Sequence, residues 1–159
     1  MEYPQADNTT KQKAQDFLKN HPMGVLSTVS EKSKPWGAAI YFVTDENFNF
    51  FFVTREKTQK FKNIEARPIV AITVADPETQ TTVQASGTIS KVPSKEIIDI
   101  VFKKLASIKP KGDINWIPPV IKVHQGDWMI LQISPDYVQF ADYKLRKTEI
   151  NDSYIRKLV

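Results

Sequence analysis

Seven short apolar runs follow one another along this chain, and most are parted only by brief polar turns. They are Met23–Val29, Trp36–Thr44, Phe48–Thr54, Ile69–Ala75, Thr81–Val92, Trp128–Ile133 and Tyr137–Ala141. Turns are expected at Glu31–Lys34, Asp45–Asn47, Asp76–Glu78 and Ser134–Asp136. Short strands at close spacing, interrupted by few helices, predict an antiparallel barrel rather than a parallel sheet. The expected fold is mainly β with flanking helices. Trp36–Thr44 is apolar at nearly every position, which predicts burial on both faces. Gly87, inside the fifth run, marks a bulge or a close approach.

Three helices are expected around the strands. Thr9 or Thr10 caps the first, whose stripe is Ala14, Phe17 and Leu18 and which ends at His21-Pro22. The second covers about Thr58 to Ala66, stopped before Pro68. Ser94 caps the third, with Ile97, Ile98, Val101, Leu105 and Ile108 on one face. Lys109 to Gln125 is proline-rich and reads as irregular, with Trp116 as a lid or a loop anchor. The tail from Lys144 is charged and is expected to be partly ordered.

The length of 159 residues fits a single domain. No run is long or apolar enough for a membrane span, and Met1–Lys13 lacks an apolar signal core. There is no cysteine, hence no disulfide framework and no thiolate nucleophile. These features point to the cytoplasm. A net charge of +4 attracts anions but does not demand nucleic acid.

The sharpest candidate site is the stretch from Phe50 to Ile64. The aromatic run stops at Thr54, and Phe61 and Ile64 then recur at helical spacing. This strand-to-helix junction carries Thr54, Arg55, Lys57, Thr58 and Lys60. Free N–H groups at a helix start, the positive dipole end, hydroxyls and ammonium groups suit a phosphate. The alternative is a solvated helix start, since Lys57 and Lys60 share a face under either reading. His21 and His124 are the only histidines and lack metal-ligand spacing, so no metal site is expected. Phe48, Phe50, Phe51 and Phe52 could stack on bases, but their context reads as barrel core.

The ordered set "GVLSTV" (Gly24–Val29), "PWGAAIYFV" (Pro35–Val43), "FFFVTREKTQKFKNI" (Phe50–Ile64), "RPIVAITV" (Arg67–Val74) and "VQASGTISKV" (Val83–Val92) resembles the FMN-binding split barrels related to pyridoxamine 5′-phosphate oxidase. The general stress protein branch is the nearest in style. The resemblance covers Phe17 to Val92, with a weaker echo at Ile133–Phe140. It implies a homodimeric split β-barrel of six to seven antiparallel strands with Greek-key-like order and two FMN sites at the interface. The flavin ring would lie against Ala38, Ala39, Ile40 and Tyr41 and the strand end at Val53–Thr54. The phosphate would sit at the junction, where Thr58 and Lys60 match the family's hydroxyl and basic residue. Thr82 or Gln84 would add contacts from the same or the partner subunit.

The departures from the oxidase also carry information. Ala38 and Val43 stand where it has an arginine and a lysine for FMN, and Gln59 replaces another basic residue. Ala141 stands where it has a tryptophan, and Lys147 and Glu149 fall near its substrate arginine and histidine. Oxidation of pyridoxamine phosphate is therefore not expected, whereas FMN binding is, with a small-molecule electron donor or acceptor. A flavin carrier or sensor, a barrel holding heme or a deazaflavin, and an anion- or nucleic-acid-binding barrel are the rival readings.

Overall fold

The computed structural model describes residues 3–109, 128–144 and 154–159. In chain order its elements are α1 (Asn8–Asn20), β1 (Met23–Val29), β2 (Pro35–Thr44), β3 (Phe50–Thr54), α2 (Gln59–Ala66), β4 (Ile69–Asp76), β5 (Thr81–Lys91), α3 (Lys95–Ala106), β6 (Met129–Asp142) and β7 (Ile155–Lys157). The strands form one sheet in the order β3-β2-β1-β4-β5-β6-β7, every named pair antiparallel. A further β3–β6 pairing closes the first six into a barrel. The mainly β split-barrel fold expected from the sequence is the one found.

Alternation builds this barrel. In β1 and β4 every second residue is buried, as strand geometry requires when only one face meets the core. Leu26, Phe42, Phe50, Phe52, Ile72 and Val83 meet inside. α1 plugs one end through Ala14, Phe17 and Leu18, and α2 plugs the other through Phe61 and Ile64. α3 lies outside, where Val101 and Leu105 join Phe51 and Ile130 in a second apolar cluster. Phe51 therefore belongs to this outer cluster, while Phe48, Phe50 and Phe52 fill the barrel.

Several expectations are corrected. Asp7, not Thr9 or Thr10, caps α1, its carboxylate accepting from the Thr10 N–H at 2.7 Å. Phe48 has φ 62° and belongs to the turn before β3, although its ring is buried. The buried stripe of α3 passes through Val101 and Leu105, leaving Ile97 41% exposed. β2 is not covered on both faces: Ile40 and Phe42 on its inner face are buried, whereas Gly37 and Ala39 on its outer face are exposed. Among the described residues nothing is laid over that outer face near Gly37 and Ala39.

The two last predicted strands are one. β6 runs through Ser134–Asp136 because β5 is long enough to pair with it on both sides of that segment. The register passes from Ser86↔Tyr137 to Gly87↔Pro135, a bulge that absorbs Asp136. A Cβ on Gly87 would fall on the Ser134 carbonyl oxygen and 2.6 Å from Pro135 Cα, so this close approach requires glycine.

The seventh strand lies in the charged tail. β7 pairs with Gln139–Ala141 of β6 and exchanges hydrogen bonds with the N-terminal segment, Lys157 N–H to Pro4 O and Ala6 N–H to Lys157 O. Leu158 is buried in the barrel core. Residues 154–159 thus belong to the packed domain. Trp116, His124, Lys147 and Glu149 lie outside the described residues. Among the described residues no helix is long and apolar enough to cross a membrane.

Candidate functional site

β3 ends at Thr54, whose buried hydroxyl lies 3.2 Å from the Thr58 hydroxyl. The chain then turns, the Thr58 N–H donating to Arg55 O at 3.2 Å. Thr58 is the N-cap of α2: its Oγ1 accepts from the Phe61 N–H at 3.3 Å and donates to Arg55 O at 2.8 Å. A hydroxyl has one hydrogen to give, and here Arg55 O takes it. Thr58 therefore shapes the junction in this state. The cap occupies the Phe61 N–H, and Lys62 N–H returns to Thr58 O. The N–H groups of Gln59 and Lys60 lie outside the helix ladder, as at any helix start.

Lys60 is half-buried, and burial pushes its ammonium below the ordinary lysine value of 10.5. The salt bridge seen among the described residues joins His21 to Asp76, not Lys60 to a carboxylate. Arg55 and Lys57 flank it with exposed cationic side chains. The junction is thus positive, lined with donors and without a counter-ion from the described residues.

A polar latch fixes α2 on the barrel. The buried Asn63 donates from Nδ2 to the buried Thr28 hydroxyl at 3.0 Å, and Gln59 Nε2 donates to Asn63 Oδ1 at 2.8 Å. Asn63 and Thr28 escaped the sequence reading. The signal for Asn63 was its spacing of four from Gln59, which makes the two neighbours on a helix, whereas Thr28, 35 residues away, left none. Gln59, read as a lost basic residue, uses its amide to hold this latch.

β2 meets β3 only over Phe42–Thr44. Beyond Phe52, Val53 and Thr54 pair with Ile130 and Met129 of β6. Ala38, Ala39 and Ile40 pair with β1 on one side, and among the described residues no strand pairs with them on the other. A split therefore opens between this part of β2 and the β3–α2 junction. Tyr41 and Val53 sit one residue past the last pair, at its corner. Gly37, Ala38 and Ala39 keep the β2 wall low.

Thr82 and Gln84 do not join this group. They lie on β5, with β1 and β4 between it and β2. Three strand spacings, about 14 Å along the sheet, separate them from Ala38–Tyr41. Gln84 shares instead the transverse row Ala39, Val25, Thr73, Gln84, Gln139 on the outer face.

His21 lies at the opposite end of the barrel. Its ring stacks on Phe17 at 4.4 Å, with Nδ1 2.9 Å from Phe17 O and Nε2 3.4 Å from an Asp76 carboxylate oxygen. Both nitrogens have protein partners, which argues against an iron ligand there. Among the described residues no group of three or more His, Cys, Asp or Glu could hold a metal. A depression of about 440 Å³ opens beside α1 between Gln15, Asp45, Glu46 and Lys104. It lies at that same far end and carries two carboxylates, so it does not suit a phosphate.

The split, its donor-rich junction and the six-stranded closure coincide with a known family pattern. The profile of pyridoxamine 5′-phosphate oxidase matches residues 10–140. The chain belongs to the pyridoxamine 5′-phosphate oxidase family. Solved structures extend the likeness of this family member at the level of fold. General stress protein 26 from Bacillus anthracis is 18% identical with a TM-score of 0.65, over 82% of this chain and 92% of that one. A pyridoxamine 5′-phosphate oxidase-related, FMN-binding protein from Nostoc punctiforme is 12% identical with a TM-score of 0.60, over 94% and 85%. The heme storage protein HutZ from Vibrio cholerae is 18% identical with a TM-score of 0.61, over 79% and 89%. No curated protein sequence matches the chain.

Proposed function

We propose that this chain binds FMN, with the phosphate at the start of α2, and acts as a flavin-dependent oxidoreductase. The observation that carries the reading is Lys60, half-buried and without a carboxylate partner among the described residues. An ammonium drawn out of water without a counter-ion is unfavourable, and an anion at the helix start relieves it. Arg55, Lys57 and the N–H groups of Gln59 and Lys60 add to the attraction. The Thr58 hydroxyl reaches a phosphate only by leaving Arg55 O, so its first role is to hold the turn. The low wall of Gly37 to Ala39 accepts a flat ring beside Val53 and Thr54.

FMN supplies the electron transfer when bound; the chain binds, orients and tunes it. Gln84 and Thr82 reach the ring from a second copy, so the reading includes a homodimer. Pyridoxamine phosphate is not the proposed substrate. Ala38 offers no cation, and Val43 packs beneath α3, where a lysine would bury a charge. The cysteine-free composition supports a cytoplasmic setting.

Titration of FMN fluorescence with the wild type, Lys60→Ala and Lys62→Ala tests the site. A charge-assisted contact is worth about 1.5–3 kcal/mol, so Lys60→Ala should bind roughly ten- to a hundredfold more weakly. Lys62→Ala, altering an exposed residue, should bind like the wild type. Equal affinity in all three proteins would sink the phosphate site. Oxidation of reduced nicotinamide by the loaded protein then separates an oxidoreductase from a carrier.

A further inference from the structure

Three polar side chains form a relay on the open outer face of the barrel. Gln84 of β5 and Gln139 of β6 are direct cross-strand neighbours. Gln139 Nε2 donates to Gln84 Oε1 at 2.5 Å, and the Tyr137 hydroxyl donates to Gln139 Oε1 at 3.0 Å. Burial, together with the nearby Tyr3, pushes the Tyr137 phenol up, which keeps it a protonated donor at neutral pH. None of the three belongs to either apolar cluster. Bonds this exposed add little stability, but they set direction. A carboxamide is an acceptor at one end and a donor at the other. With Oε1 engaged by Gln139, the Gln84 amide keeps both N–H donors for a partner other than Gln139.

We propose that Gln84 offers this donor pair to the carbonyl-bearing edge of a bound heteroaromatic ring, and that Gln139 and Tyr137 are the positioning residues that aim it. The proposal rests on the flavin reading above, the ring being that of FMN on the Ala38–Tyr41 wall of a second copy. Donors at that edge favour negative charge on it, and so the reduced flavin over the oxidised one.

The test turns on polarity. In Gln139→Glu the carboxylate still accepts from Tyr137 but has no hydrogen for Gln84 Oε1. The Gln84 amide flips, and its oxygen then faces the ring. FMN affinity should fall roughly tenfold or more, further than in Gln139→Leu, and the flavin reduction potential should drop. In a Gln84→Leu background, Gln139→Glu should have no further effect on either quantity. Equal affinity and potential in wild type and Gln139→Glu would overturn the proposal, as would simple additivity with Gln84→Leu. Side-chain amide NMR of the FMN-free protein tests the relay itself. The Gln139 resonances, identified by their loss in Gln139→Leu, should shift in Tyr137→Phe, and their failure to move would overturn the relay whatever FMN does. A relay intact by NMR in a wild type that binds no FMN would overturn the flavin reading and, with it, the ring as the ligand of Gln84.

Discussion

Lys60 sits half-buried at the start of α2 with its ammonium pushed below 10.5 by burial. Between that lowered value and 10.5 the unfolded chain holds the proton more firmly than the folded one. Stability from this residue therefore rises with pH across that window, and below it the charged Lys60 opposes folding. Lys60→Met keeps the apolar stem and removes the charge. The FMN-free variant should melt higher than the wild type at neutral pH, and the gap should narrow as pH rises toward 10.5. The same variant should lose FMN affinity. Calorimetry without ligand at neutral and alkaline pH measures this, and a variant that melts lower at neutral pH would show that Lys60 has a hidden anionic partner. A residue that costs stability and serves binding is what a functional site leads one to expect.

β5 and β6 form the longest ladder of the barrel, and its geometry depends on the bulge at Gly87. The first part of β6 is held between β5 and β3, and the second between β5 and β7. The bulge lets one strand serve both partners. In Gly87→Ala the added methyl meets the backbone of Ser134 and Pro135, which cannot rotate aside as a side chain can. The variant should lose roughly 3 kcal/mol or more in urea unfolding. Gly37→Ala is the control: its Cβ would meet only Val25 Cγ1, at 3.5 Å, and its stability should stay within about 1 kcal/mol of wild type. Similar losses in both would mean that the bulge does not constrain the ladder.

At the scale of the whole molecule, the described residues cover one outer face and leave the other open. α3 covers β2, β3 and β6 near Val43, Phe51 and Ile130. On the open side Met23 is 53% exposed, Val25 48% and Ile69 69%. Apolar exposure of this kind on a strand face suits association. The homodimer proposed above would cover it and bring the second copy's Gln84 to the split. Val25→Glu should leave the fold intact, because the side chain is already exposed, yet convert a dimer to a monomer and abolish FMN binding. Sedimentation equilibrium at micromolar concentration, with and without FMN, checks this. Added FMN should strengthen association of the wild type by mass action. A wild type that is monomeric in both conditions would remove the two-subunit site while leaving the phosphate junction standing.

The sequence by itself determined what local chemistry encodes. The run Met23–Val29 marked β1, the Ser94 hydroxyl capped α3, and the charge switch after Thr54 marked the start of α2. Each of these depends on residues within a few positions of one another. The tertiary structure alone decided what depends on distant partners. Pairing with β5 on both sides of Gly87 merged two expected strands into β6, and docking on β6 made a strand of the charged tail. Thr28, distant from α2 in sequence, turned Asn63 from an ordinary helical residue into a buried latch. The strand order parted Gln84 from Ala39, which no run of residue types reveals, because spacing along a chain carries no record of which edges close a barrel.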